Sequence, residues 1–321
     1  MNYSAIILAL LLSFKAMALD IQTYGKVIEI SNSSCSDTQS IVSTLEGWTN
    51  KKCKLIENCK YDIRECIPEH IAGVVGKYSG YEGPNCWNLA LVMKGILPAL
   101  RFSTRDEMAF YMNSPLCRNL EPNEERRPGD IGAIRELVNK KTFEFHGFVY
   151  ISDKLAFSKN GETYESSYDL QTLNNVYASY QISGNEQCHG NRVDINSNCL
   201  NATSYFRCDS LDDYLKKRKP LSLKLSTILK KTNSFEKCIM EPFLLESKPL
   251  KNNAGQSIID ISKALAQYTE EQLKKNSKLS DEEKFIITSL DLRMRSISEQ
   301  FKKSFNSEYS DALDLNRLNF K

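Results

Sequence analysis

Cysteine constrains this chain more than any other residue type. There are ten of them, Cys35, Cys53, Cys59, Cys66, Cys86, Cys117, Cys188, Cys199, Cys208 and Cys238, and what they can become depends on the compartment. The first residues speak to that. Ser4 to Phe14 is an apolar run with the length of a secretory core, too short to span a bilayer comfortably, and Ala16-Met17-Ala18 is a small-x-small cleavage signature. Residues 1–18 therefore read as a signal peptide cleaved after Ala18, although the run is preceded by no Lys or Arg and Lys15 sits late. No cysteine follows the run directly, which argues against a lipid anchor, and no later stretch has the apolar length of a transmembrane helix. The expected product is secreted or periplasmic, without a transmembrane segment in the mature chain. In such a compartment most thiols pair.

The clusters Cys53/Cys59/Cys66 and Cys188/Cys199/Cys208 read as local staples. Zinc is the rival reading, since Cys66 lies four residues before His70 and Cys188 adjoins His189, but no C-x-x-C pair is present. No metal site is expected. With 42 basic against 40 acidic residues, the charge is too balanced for a nucleic-acid partner. Hydrophobic residues make up 41% of 321, enough for buried cores in about two domains' worth of chain.

The chain divides by pattern. Residues 19–75 form a cysteine-rich N-terminal flank with a short amphipathic stretch at Ser40 to Trp48. Residues 76–182 alternate turn signals with strongly patterned segments and hold the candidate chemistry. Residues 183–250 carry the second cysteine cluster and the basic run Lys216-Lys217-Arg218-Lys219, either a solvated face or a contact for an anionic polymer. Residues 251–321 predict a helical hairpin. Ile258, Ile261, Leu265 and Tyr268 form one stripe, Ile286, Leu290, Ile297, Phe301 and Phe305 another, and Ser280-Asp281-Glu282-Glu283 between them is a capping box. That hairpin either packs on its own protein or offers a groove to a partner.

The first chemical motif is Tyr81-Glu82-Gly83-Pro84-Asn85-Cys86-Trp87-Asn88, running into Leu89–Leu97 and stopped by Pro98. Gly83-Pro84 predicts a turn and Asn85 a cap, and the apolar stretch after it predicts a buried helix. Cys86 opens that helix. Unpaired N–H groups and the positive end of the helix dipole favour a thiolate there, predicting a lowered thiol pKa and a cradle for an oxyanion. The competing reading makes Cys86 another disulfide half. If it is free, parity leaves a second cysteine unpaired, with Cys117 and Cys238 as candidates.

The second motif predicts an antiparallel meander: Arg127-Pro128-Gly129-Asp130-Ile131 entering a strand, Thr142–Ile151 as the next, a turn at Ser152-Asp153, and Lys154–Gly161 as the third. Strict alternation puts Glu144, His146, Phe148 and Tyr150 on one face. Of the three histidines, His70, His146 and His189, His146 alone falls in a strand and is the candidate base. A base needs an acceptor for its second ring nitrogen. Cross-strand partners around this turn have numbers summing to about 304 to 306, so His146 faces Ser158, Lys159 or Asn160. Lysine cannot accept, which leaves Asn160 first and Ser158 second.

A cysteine opening a buried helix, a Pro-Gly-Asp-Ile turn into a strand, and His146-Gly147-Phe148-Val149-Tyr150-Ile151 followed by a polar residue on the next strand together resemble the NlpC-type branch of papain-like cysteine peptidases and the related CHAP amidases, over roughly residues 78–165. The resemblance implies an α+β fold with a papain-like core, Cys86 as nucleophile, His146 as base, Asn160 or Ser158 as the third member, no cofactor, and a peptide or peptidoglycan substrate. The pattern departs in two places. The branch usually has Asp-Cys-Ser-Gly where this chain has Asn85-Cys86-Trp87-Asn88, and no glutamine lies in residues 70–85 to complete an oxyanion hole. Asn85, Trp87, Tyr81 or Tyr78, or backbone alone, would have to serve. The expected function is a secreted thiol hydrolase of amide or peptide bonds. The alternative is a non-catalytic, disulfide-stapled envelope protein that binds a partner.

Overall fold

The computed structural model describes residues 19–32, 34–80, 82–138, 141–180, 201–239, 248–275 and 279–305. The proposed leader, Tyr81, Cys188, His189 and Cys199 lie outside them. The fold is α+β, with helices packed on antiparallel sheets. Among the described residues no helix is long and apolar enough to cross a membrane.

The N-terminal segment forms β1 (Asp20–Tyr24), β2 (Val27–Ser31), α1 (Cys35–Thr49), β3 (Lys54–Glu57) and β4 (Lys60–Asp62), followed by the one-turn α2 (Glu69–Ala72). Its four strands lie in the order β1-β2-β4-β3, all antiparallel. The helix expected as a turn or two near Ser40 runs fifteen residues, because Thr38, Ile41, Val42 and Leu45 keep one face buried. Cys35 bonds Cys59 and Cys53 bonds Cys66, so these four are staples and Cys66 is not free to ligate zinc with His70. Ile28, Ile30, Ile41, Leu45 and Ile63 share one buried cluster with Leu89, Val149 and Phe157 further along the chain.

Next come α3 (Cys86–Met93), α4 (Arg105–Met112), β5 (Cys117–Asn119), the predicted meander β6 (Ile131–Val138), β7 (Lys141–Ser152) and β8 (Leu155–Lys159), then β9 (Tyr168–Thr172) and α5 (Leu173–Ser179). β10 (Asn201–Cys208) returns to complete a six-stranded sheet, β5-β10-β6-β7-β8-β9. The core sheet therefore extends past the 76–182 boundary read from pattern. Cys208 belongs to no local cluster: it bonds Cys117, 91 positions earlier, and fastens β10 to β5. Cys117 is thus excluded as the second free thiol, and Cys238 is free and exposed. On one face of the sheet pack α3, α4 and the C-terminal helices; on the other, α5 sets Leu173 and Val176 over Ile134, Phe148 and Tyr150.

After α6 (Leu211–Lys216), the described residues form three further helices, α7 (Leu223–Ile239), α8 (Lys248–Lys274) and α9 (Asp281–Phe305). The predicted hairpin is α8 and α9. Its capping box is present, with the Glu283 N–H donating to Ser280 Oγ at 3.1 Å and the Ser280 N–H to Glu283 Oε2 at 3.2 Å. Ile258, Ile261, Leu265, Tyr268, Ile286, Leu290, Ile297 and Phe301 are all buried against the rest of the protein. The basic run is a solvated end: Lys216 and Lys217 pair with Asp213 and Asp209.

A sealed ion cluster locks these helices to α3 and α4. Arg101 grips Glu107 with two bonds of 2.6 and 2.8 Å and reaches Glu236 on α7 at 3.1 Å, while Arg293 on α9 donates to the other Glu236 oxygen at 2.6 Å. All four side chains are fully buried. Two cations balance two anions, so desolvation is offset only while the set is complete. Replacing Glu236→Gln strands part of that charge. Urea unfolding should show a loss of roughly 3–5 kcal/mol with an unchanged denaturant slope. A loss under about 1 kcal/mol would mean that water already screens the cluster.

Candidate active site

The turn before α3 needs glycine. Gly83 has φ +136°, in the region that side-chain-bearing residues rarely adopt, its N–H donates to Glu162 O at 3.0 Å, and a Cβ there would strike the Gln300 amide at 2.8 Å. Asn85 then caps the helix, accepting the Asn88 N–H at 3.0 Å while its amide donates to Ser103 O at 2.7 Å. Both ends of Asn85 are committed, so its side chain holds the turn and is not free to bind an oxyanion. The helix stops at Met93, with Gly95 at φ +72° just beyond, before Pro98 is reached.

Cys86 is free and almost fully buried. The N–H groups of Gly147, Trp87 and Cys86 itself face its sulfur. Gly147 is tied to this closeness. A Cβ at that position would lie 3.5 Å from both Cys86 O and Trp87 Cα and 3.1 Å from Met108 Cε, so the first turn of α3 rests directly on β7. Trp87 packs its half-buried ring beside the helix, with the Arg105 guanidinium 6.0 Å from the ring centre. Tyr78 is largely exposed, and Tyr81 lies outside the described residues.

β7 does not alternate strictly. Ile134 pairs with His146 but Arg135 pairs with Glu144, which leaves Phe145 as an extra residue, a bulge. The expected common face for Glu144 and His146 is thereby broken. Glu144 turns to Arg135, 2.7 Å away, whereas His146 joins Phe148 and Tyr150 on the α5 side.

His146 is wholly buried, its ring stacked on Tyr180 at 3.8 Å between centres, and the edge of the bulged Phe145 meets the same tyrosine. Nε2 and Ser158 Oγ are 3.0 Å apart, and Ser158 Oγ donates to Asn160 Oδ1 at 3.4 Å. Ser158, not Asn160, is the direct partner. The ladder runs Val149–Phe157 and Tyr150–Ala156, so Ser158 is diagonal to His146 on the same face and Asn160 stands behind it. An amide oxygen only accepts, so the serine proton goes to Asn160 and the serine lone pair takes the Nε2 proton. The ring is left with its lone pair on Nδ1, a buried atom with no hydrogen-bond partner.

The electrostatics correct the expectation of an activated thiolate. Burial pushes the Cys86 thiol up to about 11, outweighing the opposing pull of the Gly147, Trp87 and Cys86 N–H groups and of Lys159. Burial alone pushes His146 down to about 3. At neutral pH both are uncharged and the proton stays on sulfur. Both residues are also buried from solvent, and a cavity of about 660 Å³ lined by Ser40, Thr44, Arg126, Tyr150, Asp153 and Tyr205 lies elsewhere.

Sequence pattern does not reveal Tyr180, and it passes over Lys159. Lys159 is fully buried, with Nζ donating to Thr163 O at 2.8 Å and Gly161 O at 3.3 Å. Its alternation with Leu155 and Phe157 in β8 is the one signal that marks it. His70 does not share the site, since it is bonded through the Met93 backbone at the far end of α3. Among the described residues no group of three or more metal-binding side chains is gathered. Comparison of the chain with protein-family models, curated proteins and solved structures finds no match in any of the three.

A histidine buried neutral couples stability to pH. Its folded pKa lies below the unfolded value of about 6.5, so its contribution is complete above that pH and is lost as pH falls toward about 3. Urea unfolding between pH 4 and 7 should show the native chain losing up to about 1.4 kcal/mol per pH unit more than His146→Gln. Parallel curves would contradict the buried neutral ring.

Proposed function

We propose that this protein is a thiol hydrolase of amide or peptide bonds built on a papain-like core, acting outside the cytoplasm, with bacterial cell-wall peptides as the favoured substrate. Cys86 is the nucleophile, His146 the base, Ser158 the group that orients it, and Asn160 the acceptor behind Ser158. One observation carries the reading. The imidazole has its bare Nδ1 buried without a partner and Ser158 at its Nε2, and Tyr180, stacked on that ring, is also acted on by the free Cys86 sulfur.

The chemistry follows from those roles. Nδ1 takes the thiol proton as sulfur bonds the carbonyl carbon, and the developing oxyanion lies at the N–H groups of the α3 start. The imidazolium then gives its proton to the leaving amine as the C–N bond breaks. Water, deprotonated by the same nitrogen, attacks the thioester and frees the acid and the thiol. Substrate must first move Tyr180 off the histidine, which hydrates both residues and draws their pKa values together.

Burial of both residues favours a second reading, an inert stapled scaffold that binds a partner. Hydrolysis of cell-wall muropeptides and peptide amides separates the two. Cys86→Ala and His146→Ala should each lower kcat by at least about 100-fold, and Ser158→Ala by less. Unchanged turnover in Cys86→Ala would reject the hydrolase. In Tyr180→Ala, alkylation of Cys86 by iodoacetamide should speed up about tenfold or more; a thiol just as slow without the tyrosine would support the scaffold.

A further inference from the structure

Lys159 is a buried cation that the roles above leave without a task. Its side chain is fully buried at the end of β8. Two of its three donors go to the carbonyls of Gly161 and Thr163, and the Tyr168 ring centre lies 5.8 Å away. Among the described residues no carboxylate forms an ion pair with it. Asp169 holds the Ser167 hydroxyl at 2.6 Å instead, and Glu82 meets the Tyr164 N–H at 3.5 Å. Glu82, Glu162 and Asp169 act on the Lys159 charge only from a distance, and an ammonium buried without a direct ion pair is costly unless an anion comes closer for at least part of the protein's cycle.

Geometry indicates where that anion is. Two residues on from the Val149–Phe157 pair, Lys159 comes level with Gly147, whose N–H faces the Cys86 sulfur. Lys159 also shares the face of Phe157, which packs with Leu89 of α3. The loop whose carbonyls hold Nζ is itself bonded to Gly83, three residues before Cys86. Strand register, face and loop all bring the ammonium to the start of α3.

We infer that Lys159 is a positioning residue, the buried counter-cation of the Cys86 sulfur, which holds the thiolate when His146 takes its proton. It supplies from the sheet the positive charge that the helix start alone does not. Cys86 is faced by Lys159 from β8 and by Tyr180 from the end of α5, the ring that also stacks on His146. Lys159 is faced by Cys86, Glu82, Glu162, Asp169 and Tyr168. The sulfur heads the charged groups that act on Lys159, after the opposing effect of burial, and Lys159 in turn lowers the sulfur's pKa.

The inference rests on Cys86 as the nucleophile, but its test uses no substrate. Thiolate absorbance at 240 nm is titrated in a Cys238→Ser background, with the Cys86→Ser curve subtracted. Lys159→Gln, which keeps donors for the two carbonyls and removes the charge, should raise the Cys86 midpoint by about one unit or more, and Lys159→Arg should restore most of the shift. A Gln midpoint within about 0.3 unit of the parent's, with native circular dichroism, overturns the pairing. Should the Lys159 variants not fold, the pair is read from the other side. Cys86→Asp, with a fixed anion in place of sulfur, should raise the Lys159 midpoint seen by carbon-13 NMR relative to Cys86→Ser, and equal midpoints overturn it. An inert protein with a shifted thiol midpoint rejects hydrolysis and keeps the pair; an active enzyme without the shift does the reverse.

Discussion

The contact between the first turn of α3 and strand β7 at Gly147 organises everything around it. A side chain at that position would press on the Cys86 carbonyl, the Trp87 backbone and Met108, and the helix would have to lift away. With glycine there, the helix start and the strand share one layer of atoms. The same approach aims the Gly147 N–H at the sulfur and helps to bury Cys86. The Gly83 turn, the Asn85 cap and the sealed Arg101, Glu107, Glu236 and Arg293 cluster keep α3 where Gly147 can receive it.

That closeness has two electrostatic effects of opposite sign. N–H groups and the Lys159 ammonium favour a negative sulfur, and exclusion of water favours a neutral one. In the closed structure the second effect wins for both Cys86 and His146. Cys86 and His146 both rest uncharged, and a buried neutral thiol is slow to oxidise or to be alkylated. Tyr180 is held by the bulged Phe145 as well as by His146. The irregularity in β7 thus both turns His146 to the α5 side and seats the tyrosine stacked on it.

Several parts of this arrangement are legible in the sequence. Gly-Pro-Asn before an apolar run specifies a capped, buried helix through local interactions alone, and so does the Ser280–Glu283 box. The β6–β8 meander follows from alternation and one turn. What escapes depends on distant parts of the chain. β10 joins the sheet between β5 and β6 through pairings that no local pattern encodes, and the Cys117–Cys208 bond follows from it. The bulge at Phe145 carries no Gly or Pro to mark it. The direction of the thiol pKa does not follow from residue order, because order reveals a helix start, whereas burial is set by everything packed above it. Lys159 cannot accept a hydrogen bond, so a search for the partner of His146 passes it by, although its charge is what the proposed thiolate would use.

The central claim is that the Cys86 sulfur attacks a carbonyl with help from the His146 ring. Its most direct measurement is capture of the covalent adduct. A peptide vinyl sulfone is incubated with the protein, and intact mass followed by peptide mapping locates the label. The account predicts a single addition on Cys86, tenfold or more slower in His146→Ala, with Cys238 labelled no faster than a free surface thiol. Labelling of Cys86 at the same rate without the imidazole, or labelling confined to Cys238, would contradict it.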